Sequence, residues 1–237
     1  PATSGHRWRP GEIQRWQWQL TGDVDVSVDA EVYELDAFTT AADDVDRLHA
    51  AGRRVICYVN AGSHEDFRPD AGRFPASVLG RSNGWSGERW LDIRQWSLIE
   101  PVLADRVRLC QRKGFDAVEA DNVDGYANPT GFPLTADDQL VFNRRVAALA
   151  HEHGLAVGLK NDLDQAVALE PDFDFAVNEQ CFRYAECERL SPFTSAGKPV
   201  LHVEYDLPAA DFCGRARELG FASMRKRPEL TAWRDPC

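Results

Sequence analysis

The chain has 237 residues, 43% of them apolar and 27% charged, which is room for one large core and rules against disorder. No apolar run approaches the roughly 18 residues that a bilayer span needs. The net charge of −11, from 27 basic and 38 acidic residues, argues against a nucleic-acid partner. It serves solubility, and it also suits a cationic substrate.

Taken in order, the chain alternates short apolar runs with amphipathic stretches. It opens at Pro1 rather than Met, as a trimmed form that has lost a leader would. Trp16 to Leu20 and Val32 to Asp36 read as strands. Val45, Leu48 and Ala51 fall at helical spacing, stopped by Gly52, and Arg54 to Asn60 is a buried strand. Residues 61–88, rich in Gly, Ser, Pro and Arg, read as a long functional loop, followed by a short extended piece at 90–93. A helix is predicted over 98–113, a strand over 115–120, a second long loop over 121–135 and a helix over 136–153. Strands at 155–159, 173–177, 199–203 and 221–225 follow, with helices at 163–169, within 181–190 and at 208–219. Eight principal strands with helices between most of them predict a parallel sheet closed into a (β/α)₈ barrel, a single domain over residues 1–237. No GxGxxG or Walker sequence follows any strand, which weakens a nucleotide-binding reading.

Six cysteines are present, with no CxxC and no His at zinc-finger spacing. Cys181 and Cys187 bracket a short loop and are expected to be bridged, and Cys213 with the terminal Cys237 is the next pair. For Cys57 and Cys110, in a strand and a helix, two reduced buried thiols would be an ordinary finding. The even count points to an oxidising, extracellular compartment.

In a parallel barrel, chemistry sits where strands end. Here the runs end in Asp36, Asn60, Asp121-Asn122, Lys160-Asn161-Asp162, Asn178-Glu179 and Glu204-Tyr205-Asp206. Asp121 and Glu179 close the fourth and sixth strands, so they can face one another across the rim. Glycosidic cleavage needs such a pair: one carboxyl protonates the leaving oxygen while the other, ionised, attacks or activates water. Tyr126 and Tyr205 adjoin carboxylate-bearing rim segments and suit sugar contact. The remaining Trp and Tyr residues are expected mostly in the core.

An ordered set of these segments resembles a known family. It comprises Trp18-Gln19-Leu20, Tyr33 to Phe38, Val55 to Ser63 with Glu65 and Arg68, Trp90 to Arg94, Glu119 to Tyr126, Gly158 to Asn161 and Asn178 to Cys181. The set is similar to glycoside hydrolase family 114, the endo-α-1,4-polygalactosaminidases, from about Trp16 to Tyr205. The resemblance implies a (β/α)₈ barrel that cleaves α-1,4-linked galactosamine polymers without metal or organic cofactor. Its catalytic pair falls on Asp121 and Glu179, with acid and base roles unassigned. Ala120 departs from the Leu or Pro that often precedes the catalytic Asp, a small change not expected to remove activity. Substrate contacts are expected from Asp36, Tyr58, Asn60, Asp92, Asn122, Asp124, Tyr126, Lys160, Asn161, Glu204 and Tyr205, with Asp36, Asp124 and Glu204 pairing with ammonium groups. The expected protein is a secreted monomer acting on a cationic galactosamine polymer, with no nucleic-acid partner and no membrane span.

Three other readings stay open: a carbohydrate-binding barrel without hydrolytic activity, a hydrolase of another amino-sugar or α-linked polysaccharide, and a metal enzyme. The last is weakest. His49, His64, His151, His153 and His202 form no HExxH, and residues at i, i+2 on a helix, such as His151 and His153, point apart.

Overall fold

A computed structural model describes residues 7–237; Pro1, on which the expectation of a trimmed chain rests, lies outside them. The eight main strands are β1 (Trp16–Gln19), β2 (Val32–Asp36), β3 (Arg54–Asn60), β7 (Ala117–Asp121), β8 (Ala156–Lys160), β9 (Phe175–Glu179), β10 (Val200–Glu204) and β11 (Phe221–Arg225). They pair in parallel in that order, each with the next. Helices α1 (Ala42–Ala50), α2 (Trp96–Arg112), α3 (Ala136–Glu152), α4 (Ala166–Leu169), α5 (Ser191–Ser195) and α6 (Ala209–Glu218) supply one crossover after each strand from β2 to β10. This is a (β/α)₈ barrel.

The seam between β11 and β1 is made differently. Among the described residues no ladder joins these two strands. The C-terminal segment lies across the gap: Leu20 and Thr21 donate backbone N–H groups to Leu230 O, and Arg234 Nη1 reaches Trp16 O at 2.7 Å. Lys226 Nζ bonds Gln17 Oε1 at 3.2 Å. The two-residue strand β12 (Asp235–Pro236) then pairs antiparallel with β11.

Alternation along the strands divides the core. Trp16, Trp18, Ile56, Ala117, Phe175, Val177, Leu201, Val203 and Met224 fill the barrel interior. The opposite faces, with Leu35, Val55, Cys57, Val118, Val157 and Ala176, pack beneath the helices. At the amino-terminal rim Asp116 binds His49 and the Val55 N–H, and Asp174 binds His151 and the Val157 N–H. Those two histidines therefore serve helix-to-strand packing.

Three expectations need correction. Residues 61–88 are not a plain loop. Strands β4 (Ser63–Glu65), β5 (Leu79–Ser82) and β6 (Glu88–Leu91) form a small antiparallel sheet over the barrel mouth, and β6 takes in Trp90 and Leu91 of the extended piece foreseen at 90–93. Several barrel strands run one or two residues further than their apolar runs, so Asp121, Lys160 and Glu179 lie within strands. An apolar run stops at the first charge. The ladder does not, because it pairs backbone groups and runs on through Asp121, Lys160 and Glu179. Finally, Cys57 and Cys110 are not thiols but a disulfide, joining β3 to α2. The bridges Cys181–Cys187 and Cys213–Cys237 are present as read from the sequence.

Candidate active site

The carboxyl ends of the strands open into a cleft of about 800 Å³. Each of three strands ends in a charged side chain followed by a non-glycine residue in the left-handed region: Asp121 before Asn122 (φ 59°), Lys160 before Asn161 (φ 49°) and Glu179 before Gln180 (φ 64°). Asparagine tolerates this conformation better than most residues, and such backbone concentrates at functional sites. The bend leaves the charged side chain of the preceding residue inside the mouth. Ala61 and Gly62 donate N–H groups to Asp121 O at 3.0 and 3.1 Å. A Cβ at Gly62 would lie 1.7 Å from Asn122 O, so only glycine permits this clasp.

Lys160 is the centre of the arrangement. Its Nζ lies 3.1 Å from Asp121 Oδ1, 3.2 Å from Glu179 Oε2 and 3.5 Å from Glu119 Oε1, and 4.8 Å above the Trp18 ring. Burial alone would lower the lysine's pKa, but Asp121, Glu179 and Glu119 outweigh it and hold the ammonium charged. Asp121 accepts two further hydrogen bonds, from Tyr58 Oη at 2.7 Å and from the Asn122 N–H at 2.8 Å. Burial works to raise its pKa, yet Lys160, Tyr58 and the Asn122 N–H prevail and the carboxyl sits below its ordinary value. Glu179 accepts a short hydrogen bond from Tyr205 Oη. Both phenols are pushed above their ordinary pKa, by burial first and then by the adjacent carboxylate, so both stay donors.

The two carboxyl groups share one ammonium. Laid end to end, their distances to it limit the separation of those two oxygens to about 6 Å, which is compatible with the close spacing of double-displacement glycosidases.

Asp36, Tyr58, Asp121, Asn122, Asp124, Lys160, Asn161, Glu179 and Tyr205 all line the cleft. Asp36 is engaged by Arg68, at 2.7 Å, which also holds Glu65, so its charge is already compensated. Asp124 differs: among the described residues only its own backbone N–H donates to it, and burial together with the Asp121 charge pushes its pKa up to about 6. Four expected contacts lie elsewhere. Asn60 supports from below, accepting from the Ser63 N–H and the Asn122 side chain. Asp92 is buried and bonded to Arg94. Tyr126 lines a smaller adjoining hollow of about 300 Å³. Glu204 sits on the outer face of β10 and accepts the Phe182 N–H and a bond from His202.

The cleft also uses residues that strand-end reasoning passed over. Phe67 and Trp85 are 60% and 62% exposed at its wall, carried by the segment that holds the small antiparallel sheet. A flat, solvent-facing aromatic at a cleft wall has the shape and chemistry to stack on a sugar ring. The only signal in the sequence was a tryptophan inside a Gly/Ser-rich stretch. Among the described residues, Cys181, Cys187 and His202 are the one group of metal-type donors lying together, and two of the three are consumed by their disulfide.

A (β/α)₈ barrel with an acidic pair bridged by one lysine at its carboxyl-end mouth is an arrangement suited to a glycoside hydrolase. The model of glycoside-hydrolase family GH114 matches residues 1–237, and the chain belongs to that family. It is similar to the crystal structure of Aspergillus fumigatus Ega3 in complex with galactosamine, at 36% identity and TM-score 0.91, covering 99% of each chain. The glycoside hydrolase domain of PelA from Pseudomonas aeruginosa matches at 14% identity and TM-score 0.75, covering 94% of this chain and 98% of that one. The α-galactosidase TtGalA from Thermus thermophilus matches at 15% identity and TM-score 0.60, covering 95% of this chain and 60% of that one. The last two likenesses concern the fold alone. A comparison with curated protein sequences finds no match.

Proposed function

We propose that the protein is an endo-acting hydrolase of α-1,4-linked, galactosamine-containing polysaccharide, working by double displacement with Asp121 as nucleophile and Glu179 as acid and base. The observation that carries this reading is the shared contact of both carboxyl groups with Lys160 Nζ, at 3.1 and 3.2 Å. Asp121, held ionised by Lys160, Tyr58 and the Asn122 N–H, attacks the anomeric carbon. Glu179, more open to solvent and oriented by Tyr205, serves as general acid and gives a proton to the departing glycosidic oxygen. A β-glycosyl ester of Asp121 results. Glu179 then takes a proton from water, the water oxygen replaces Asp121, and the α-anomer is released with its configuration retained.

The likeness to Ega3 bound to galactosamine supports the sugar. The chain's own residues support it too. Asp124, with no side-chain partner among the described residues, is placed to receive a substrate ammonium, and the −11 net charge draws in a polycation. Phe67 and Trp85 offer stacking surfaces to neighbouring sugar units along an open cleft, as endo cleavage requires. Three disulfides, and no helix among the described residues long and apolar enough to cross a membrane, support a secreted enzyme. Residues 1–237 act as one domain and as a monomer.

The test is incubation with free-amine and N-acetylated α-1,4-galactosamine polymers, followed by product sizing. Wild type should release short oligosaccharides from the free-amine polymer and fewer from the fully acetylated one. An intact free-amine polymer after prolonged incubation with folded enzyme overturns the proposal.

A further inference from the structure

Beneath the catalytic carboxyl groups lies a second acidic pair. Glu34, on β2, and Glu119, on β7, point into the barrel interior and are both fully buried. Among the described residues, no N–H or O–H group donates a hydrogen bond to any of their four carboxyl oxygens. The two carboxyl groups lie within interaction distance of each other. Two buried carboxylates cannot face one another with both charged, and two carboxylates have no donor between them. One proton shared by the pair resolves both problems and leaves a single negative charge. That charge lies beside Lys160, whose Nζ is 3.5 Å from Glu119 Oε1 on the side away from the cleft.

We propose that Glu34 and Glu119 are positioning residues, a proton-sharing pair whose single negative charge holds the Lys160 ammonium between Asp121 and Glu179. The inference rests on the assignment of those two as the catalytic pair. The physical case is one of balance. A lysine facing only Asp121 and Glu179 would move with whichever of them is charged. During double displacement Asp121 loses its charge on forming the ester, and Glu179 alternates between acid and base. The charge below the lysine stays constant through the cycle, because no substrate reaches it. It keeps the ammonium in place while the charges above it change. Burial raises the pKa of both members, Glu119 to about 7, as a retained proton requires.

The groups facing this pair come from several strands: Tyr58 from β3, Asp121 from β7, Lys160 from β8 and Glu179 from β9. A negative charge beneath the cleft opposes ionisation of the carboxyl groups above it, so removing it displaces the pH–rate profile to lower pH.

The experiment compares Glu34→Gln, Glu119→Gln and the double variant with wild type, using the free-amine polymer and full pH–rate profiles. In Glu34→Gln the new amide can donate to Glu119, which keeps its charge beside the lysine, so this change should cost least. Glu119→Gln leaves the charge on the more distant Glu34 and should cost more. The double variant removes the charge; kcat should fall by up to about 10²-fold, with KM little changed and the basic limb displaced to lower pH. A purely packing role would lower stability without moving the limb. Infrared spectroscopy gives a second readout, independent of how the double variant folds. The protonated-carboxyl band at neutral pH, to which Asp162 also contributes, should be weaker in Glu34→Gln than in wild type. An unmoved basic limb in folded double variant, or no weakening of that band in Glu34→Gln, overturns the inference. Asp121→Asn and Glu179→Gln serve as controls: if either stays active, the catalytic assignment itself fails, whereas their inactivity beside an unaffected double variant rejects the positioning pair alone.

Discussion

The Cys57–Cys110 bridge should contribute more stability than either of the other two. It spans 53 residues, against 24 for Cys213–Cys237 and 6 for Cys181–Cys187. In the chain-entropy account these loops remove about 4, 3 and 2 kcal/mol of unfolded-state entropy respectively. The first and last can be compared directly, because Cys57, Cys110, Cys181 and Cys187 are all at most 2% exposed and lose similar packing when truncated to alanine. The double variant C57A/C110A should therefore be about 2 kcal/mol less stable than C181A/C187A. The bridge also ties β3, which carries Tyr58, to α2, whose Arg106 bonds Asn60 O at 2.8 Å and Asp70. Its loss should thus loosen the Asp121 side of the cleft before the Glu179 side. Equilibrium urea unfolding of the paired alanine variants without reductant measures the difference. If C57A/C110A proved no less stable than C181A/C187A, loop closure would not govern these bridges and the reasoning would fail.

Asp121→Asn and Glu179→Gln should each lower kcat by about 10²–10⁴-fold while binding persists, and the double variant should be little worse than the poorer single one, measured by steady-state kinetics. Burial and the Asp124 charge push the Asp162 carboxyl up to about 8. Its unfolded value is near 4, so the folded state holds an extra proton between those limits and stability falls as pH rises through that window. Asp162→Asn should flatten the slope, leaving a Tm above that of wild type at high pH; an unchanged slope in thermal melts would count against it. Raising salt should weaken binding of the free-amine polymer more than that of its acetylated analogue, since exposed charges are screened beyond about 8 Å at 0.15 M. Trp85→Ala should raise KM for long polymers more than for short oligosaccharides, and equal effects on both would remove Trp85 from the sugar path.

Much of this molecule was legible in its sequence for a physical reason. Parallel barrel strands are buried on both faces and read as β-branched and apolar runs, as in Val55 to Val59, and glycines end the helices at Gly52, Gly114 and Gly154. The rim could be found by asking where each run stops, which singled out Asp121 and Glu179. The same rule misplaced Glu204. Along a strand, side chains alternate between the interior and the helix-covered face, and a one-residue difference in strand end reverses the direction. Glu204 shares the outward face of β10 with His202, whereas Tyr205 turns inward. The Cys57–Cys110 bridge was not legible because it depends on how α2 lies across β3, a tertiary fact that spacing does not contain. Glu34 and Glu119 escaped notice for a related reason: charges within otherwise apolar strands look like noise until the strands curl and bring them together under Lys160.

The most direct test of the central claim is time-resolved proton NMR of wild-type enzyme acting on α-1,4-galactosamine polymer. Asp121 and Glu179 on one shared ammonium predict new reducing ends that appear first as the α-anomer and equilibrate to β afterwards. Reducing ends that appear first as the β-anomer, or no new reducing ends at all, would contradict the account.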